Sequence, residues 1–322
     1  MKKAPSLKSM FEDIEKERGI KEEDLFNALK DALLSAAKKR LPEAENLEVI
    51  IEDNGNPKII NKDDGKEVVI SDFGRIAAQT AKQVIIQRLR EAEKDVAFGE
   101  FTTKVGEIIV GTVQRRESAG YLFNLGRIET FLPLSESIPG ENLRTKEKVR
   151  VLVVEVKKTS KGPMVVISRT HPDFIRKLFD LEISEVKEGT LEVKGIAREA
   201  GRRTKIAITS HDPDVGVVGT CVGPMGSRIQ NVTRELANER IDIIEWSDKP
   251  TVFIQHALSP AKNMKVTVNE ADKTAKVVLP EKDFSLAIGK EGQNVRLASK
   301  LTGYKIDIVA EEKQESGEDK SK

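Results

Sequence analysis

The sequence predicts a multidomain α+β chain, with a mixed α/β head, a five-stranded barrel and two copies of one α+β module. Three observations carry this reading. Apolar residues keep helical spacing through much of the N-terminal third, then give way to short extended runs. The stretch GEIIVGTVQRRESAGYLFNLGRIETFLPLSESI, with KVRVLVVEVKKTSKGPMVVISR after it, holds five β-runs broken by turn residues. A Gly-x-x-Gly device then occurs twice, each time in the same surroundings.

In the head, residues 1–102, Leu7, Met10, Phe11 and Ile14 fall at i, i+3, i+4 and i+7 and open an amphipathic helix that Gly19 ends. A second helix spans Lys21 to Leu41, with Leu25, Leu29, Leu33 and Ala36 on one face, and Pro42 stops it. LEVII and EVVI read as strands, separated by NGNP and KDDG turn signals. A long helix from about Asp72 to Glu93 turns Ala77, Ala81, Val84, Ile85 and Leu89 inward.

Residues 103–170 hold the five β-runs, a spacing that suits a small closed OB-type (S-one) barrel. The first module, 171–247, reads as helix FIRKLFDLEI, strands TLEVKGIARE and RRTKIAITS, the glycine device, and a closing strand IDIIEW. The second, 248–310, repeats that order through TVFIQHALS, KVTVNE, KTAKVVLP, FSLAIG, NVRLASKLTG and YKIDIV. Gly223-Pro224-Met225-Gly226 and Gly289-Lys290-Glu291-Gly292 stand 66 residues apart. The linker WSDKP is short, so the two modules are expected to pack rigidly. The polar tail, 311–322, is expected to be disordered.

Two glycines around a pair of residues make chemical sense beside a sugar-phosphate backbone. Without Cβ atoms, the loop lets backbone N–H groups approach phosphates, and the helix that follows aims its positive end there. This is the Gly-x-x-Gly loop of KH modules, which clamps about four nucleotides of a single strand. One such match alone would be an ordinary helix–turn–helix connection. Two copies, each preceded by a helix and two strands and each closed by Ile-Asp-Ile, point to tandem type II KH domains.

The candidate RNA-binding residues follow. Gly223, Gly226 and Arg228 form the first loop, where Pro224 removes one N–H and Met225 brings no charge, leaving Arg228 as the expected phosphate contact. Gly289, Lys290 and Gly292, with Asn294 and Arg296 on the following helix, form the second, where Glu291 partly offsets Lys290. Arg202, Arg203 and Lys205 cluster in a hairpin of the first module and are expected to touch phosphate. In the barrel, Tyr121, Phe123 and Phe131 are candidates for stacking on bases, with a place in the barrel core as the other reading.

Composition narrows the partners. Lys plus Arg, 54, nearly cancel Asp plus Glu, 53, so a polyanion must be held by local patches. The single cysteine, Cys221, excludes an internal disulfide and a cysteine-rich zinc site, and is expected to be buried in a helix. His171, His211 and His256 lack metal-ligand spacing, and neither a Walker loop nor a nucleophile elbow occurs. No enzyme, metal or cofactor is expected, and neither a signal peptide nor a membrane span, which places the chain in the cytoplasm.

The order head, barrel, KH, KH resembles the NusA family of bacterial transcription termination and antitermination factors. DFGRIAAQTAKQVIIQRLREAE, SRTHPDFIRKLF, GRRTKIAI, CVGPMGSRIQ, IDIIEWS and LAIGKEGQNVRLASKLTG carry the resemblance, which covers nearly the whole chain outside the tail. It implies a monomer that rides on RNA polymerase through its head and contacts single-stranded nascent RNA through the barrel and KH modules. Other antitermination factors are further implied partners. Pro224-Met225 departs from the basic first loop of the family, and the head is short between its strands and the Asp72 helix. Acidic repeats that some members carry are absent here, so autoinhibition by them is not expected.

Overall fold

The computed structural model describes residues 7–18, 20–41, 46–52, 57–70, 73–159 and 162–311. Gly19, Pro42, the turn at 54–56, Asp72 and the tail expected to be disordered lie outside these residues. The chain divides into two compact units, Met1–Thr103 with Lys158–Met164, and Lys104–Lys157 with Val165–Lys322. None of the described helices is long and apolar enough to cross a membrane.

In the first unit, α1 (Leu7–Arg18), α2 (Glu22–Arg40) and α3 (Phe73–Thr102) accompany an antiparallel pair, β1 (Leu47–Ile51) and β2 (Pro57–Asn61). Their core joins Phe11, Leu25, Leu29, Leu33, Ala37, Val49, Ile59, Ala77 and Ala81, with the Phe11 and Phe26 rings edge to face at 4.8 Å. The acidic first turn of α2 (Glu22, Glu23, Asp24) and its basic last turn (Lys38, Lys39, Arg40) both complement the helix dipole.

The structure corrects one strand. The second strand is PKIIN, not EVVI, because the KDDG turn reverses the chain directly after Asn61, with Gly65 N–H donating to Asn61 O at 2.9 Å. Glu67 then makes one isolated bridge to Ile60, and Val69 is left 87% exposed. α3 also runs further than its apolar pattern suggested, to Thr102 instead of Glu93.

The strands β3 (Ile108–Glu117), β4 (Gly120–Asn124), β5 (Glu129–Pro133), β6 (Lys148–Thr159) and β7 (Gly162–Ser168) form one sheet in the order β5-β4-β3-β6-β7. A bulge between Val113 and Arg115 bends β3, and Thr130 Oγ1 donates to Val165 O from β5 to β7, so the five-stranded barrel nearly closes. Val113, Tyr121, Phe123, Leu132, Val151, Val153 and Ile167 fill it.

The first module comprises α4 (Pro172–Glu182), α5 (Ser184–Lys187), β8 (Leu191–Glu199), β9 (Arg203–Ser210), α6 (Val217–Val222), α7 (Ser227–Glu235) and β10 (Arg240–Glu245). The second comprises α8 (Pro250–Ala257), β11 (Lys265–Asn269), β12 (Thr274–Leu279), α9 (Glu281–Ile288), α10 (Gln293–Thr302) and β13 (Lys305–Ala310). Each sheet is an antiparallel hairpin joined by a parallel final strand, the type II KH arrangement. The aspartate of each closing Ile-Asp-Ile stands opposite a lysine, Asp242 against Lys205 and Asp307 against Lys276.

The two modules share a core. Ala207 on β9 and Ile244 on β10 lie in one apolar cluster with Phe253, Ile254 and Ala257 of α8. The other face of the same sheet, through Ile206 and Ile208, packs on Phe174, Leu178, Cys221 and Val232. Strand β9 is therefore buried on both faces, from Thr204 to Ile208. Cys221 is buried as expected, and burial pushes its thiol up to about 12, which leaves it unreactive.

Candidate nucleic-acid interface

The two glycine turns are built alike, torsion for torsion. Gly223 has φ 73° and ψ 176°, and Gly289 has φ 73° and ψ 173°. The third residue is left-handed in both loops, Met225 at φ 51° and Glu291 at φ 56°, and so is the closing glycine, Gly226 at 78° and Gly292 at 70°. Each loop folds on itself, Gly226 N–H donating to Gly223 O at 3.1 Å and Gly292 N–H to Gly289 O at 3.2 Å. Helices α7 and α10 start at the next residue, so each loop lies against a helix N-terminus.

The first glycine of each loop is needed for a second reason. A Cβ on Gly223 would stand 2.7 Å from Arg228 Cγ, and one on Gly289 would stand 2.7 Å from Asn294 Cβ. Arg228 and Asn294 occupy the same repeat position, and both hold the turn from beneath. Arg228 Nη1 donates to Thr220 O at 3.0 Å and to Glu185 Oε2 at 2.8 Å. Asn294 Nδ2 donates to Leu286 O, the equivalent carbonyl, and to Ala287 O and Leu258 O, all at 3.1 Å. The expectation that Asn294 contacts RNA is therefore corrected. Asn294 is fully buried, whereas Arg228 holds the loop's frame through Nη1 and remains 30% exposed.

Other candidates separate in the same way. Lys205 is fully buried beneath the second module, with Nζ 2.9 Å from Asp242 Oδ2 and 3.3 Å from Ser259 O. Burial lowers its pKa, against the pull of Asp242. Arg203 donates to the same carboxylate at 2.8 Å. The expected phosphate contact of Lys205 is therefore corrected, while Arg203, 19% exposed, is paired with Asp242. In the barrel, Tyr121 is 1% exposed and Phe123 is fully buried, so both are core and not stacking platforms. Phe131 faces outward and is half-buried.

What the fold does bring together lies at the second loop. Lys290 is exposed at its tip. Arg296 reaches back with Nη1 to Glu291 O at 3.1 Å, and its Nε donates to Glu199 Oε1 at 2.6 Å. Gln293 Nε2 donates to the other oxygen of Glu199 at 2.8 Å. The Arg296 hydrogen bond holds the Glu199 carboxyl below its ordinary value. Arg202, at the tip of the β8–β9 turn, places Nη1 3.6 Å from Glu291 Oε2. The first loop presents exposed Pro224 and a fully exposed Met225 instead.

Glu199 and Gln293 escaped the sequence reading. Nothing local marks them, since the contact joins residues 94 positions apart. The shared role of Arg228 and Asn294 was within reach, because aligning the repeat puts one on the other.

Comparison with known proteins gives consistent matches along the chain. Residues 169–246 match the NusA-like first KH domain, 250–316 the NusA-like second KH domain, and 6–64 and 56–95 the NusA N-terminal domain. A protein of Halalkalibacterium halodurans named transcription termination/antitermination protein NusA is 44% identical over 336 residues, covering 94% of this chain and 88% of its own. Proteins of the same name from Bacillus subtilis and Thermus thermophilus are 42% and 37% identical, covering 92% and 90% of this chain and 89% and 86% of theirs.

Proposed function

The chain belongs to the NusA family, and from that premise we propose an RNA-binding transcription factor that modulates pausing, termination and antitermination. It binds RNA polymerase through its head and single-stranded nascent RNA through the barrel and paired KH modules. It works by holding its partners, with no cofactor. The observation that carries the RNA reading is the second glycine turn, where an exposed Lys290 and a helix N-terminus meet on a backbone that glycine keeps open. Several modest contacts on one strand then reinforce one another through their linkage.

The test of this reading is RNA affinity by fluorescence anisotropy, comparing the parent with Lys290→Asp combined with Glu291→Asp. Two carboxylates would stand where phosphates approach, and the variant should bind about tenfold or more weakly with an unchanged circular dichroism spectrum. Equal affinity in a folded variant would move RNA off this loop. For the head, a chain lacking Met1 to Phe101 should keep RNA binding and lose RNA polymerase. Polymerase retained by that truncation would refute the assignment.

A further inference from the structure

We infer that Arg202, a residue of the first KH module, belongs to the phosphate site of the second module's loop. This rests on the reading that RNA occupies that loop.

Arg202 stands on a turn that is fixed from several sides. Gly201 adopts φ 72°, and its N–H donates to Glu239 Oε2 at 2.9 Å. A Cβ there would stand 2.8 Å from Pro139 O, so the turn is wedged against the barrel. Arg202 N–H donates to Glu199 O at 3.0 Å. The same turn carries the Glu199 carboxylate, which locks the first turn of α10 through Gln293 and Arg296. The tip of the first module's hairpin and the second module's loop are thus held as one piece.

Charge gives that arrangement its purpose. A phosphodiester approaching the loop meets two carboxylates, Glu199 and Glu291. Glu199 is neutralised by Arg296, and its side chain is only 17% exposed. Glu291 is 66% exposed and has Arg202 beside it, equally exposed. A guanidinium has five donors in a planar fork, so Arg202 can keep Glu291 with one edge and take a phosphate oxygen with another. Arg202 offsets the carboxylate that weakens Lys290, and supplies the phosphate contact that Asn294, turned inward, does not make. The ligand is the backbone of a single RNA strand, and the site is built from both modules.

A double-mutant cycle tests this. Arg202→Gln, Glu291→Gln and the pair are compared by anisotropy on a labelled single-stranded RNA oligonucleotide at several salt concentrations. The Lys290→Asp/Glu291→Asp chain serves as the control for loop occupancy. Arg202→Gln should weaken binding about threefold to tenfold and lower the salt slope by about 0.7, the mark of one lost phosphate contact on a single strand. With Glu291→Gln already present, the same change should cost at least about twofold less.

If the control variant loses affinity while Arg202→Gln binds like the parent, this inference falls and the loop reading stands. The same holds if the loss is equal in both backgrounds, because Arg202 would then meet RNA elsewhere. If the control variant itself binds like the parent, the loop reading fails and takes this inference with it. All of the substituted side chains are exposed, so loss of fold does not confuse these outcomes.

Discussion

Glu239→Ala should destabilise the barrel–KH unit by about 3–5 kcal/mol, the usual cost of removing one partner from a buried ion pair. The Glu239 side chain is fully buried and accepts from Arg198 Nε at 3.1 Å, Arg198 Nη2 at 2.9 Å, Gly201 N–H at 2.9 Å and Thr204 Oγ1. Arg198 is 2% exposed and, among the described residues, its further hydrogen bonds run to carbonyls, Arg169 O at 2.8 Å and His171 O at 3.0 Å. Without Glu239 its charge stays buried and uncompensated. The measurement is the urea midpoint of the transition that unfolds this unit. An unmoved midpoint would mean that water or a neighbouring carboxylate replaces Glu239. Removing both charges, Arg198→Met with Glu239→Leu, should recover most of the loss, because no ion is then left without its partner. RNA affinity should fall in the single variant even where the protein is folded, since Gly201 loses the anchor that positions Arg202.

The second large effect is expected at Asn294→Asp. The change keeps the shape of the side chain and removes the amide that donates to Leu258 O, Leu286 O and Ala287 O. Three carbonyls lose their side-chain donor and a carboxylate is pressed against them, at a cost of about 3 kcal/mol or more. Asn294 Oδ1 already has no hydrogen-bond partner among the described residues, so the new oxygen finds no compensation beside it. The loss should appear as faster amide hydrogen exchange in α9 and α10 and as weaker RNA binding. Parental exchange rates would show that the turn is held by its glycines alone. At the matching position, Arg228→Gln should do less, because Arg228 is 30% exposed and water can reach the groups it leaves.

Both effects concern residues whose importance is not local, and this separates what was legible from what was not. Helices with an apolar stripe, such as α2, announced themselves because their periodicity is a property of consecutive residues. The glycine turns did so because positive φ at the first and last loop positions, Gly223 and Gly226 or Gly289 and Gly292, favours glycine at a set spacing. EVVI failed as a strand for the opposite reason. An apolar run is no guide to pairing, and EVVI touches β2 only through the Glu67–Ile60 bridge beside the KDDG turn before it leaves the sheet with Val69 exposed. Tyr121 and Phe123 share a strand face in sequence, but only closure of the barrel says that this face is the inside.

By itself the sequence determined the order of modules, the repeat, the shape of the two loops and the family, because each is written in neighbouring residues or in their recurrence. Only the tertiary structure decided which cations stay exposed. Arg202, Arg203 and Lys205 lie within four residues of one another and look alike on paper. Packing of the second module on the first module's sheet buries Lys205, Arg203 is paired with Asp242 of its own sheet, and Arg202 reaches the neighbouring loop. A side chain's charge is local, but its availability depends on what the fold lays over it.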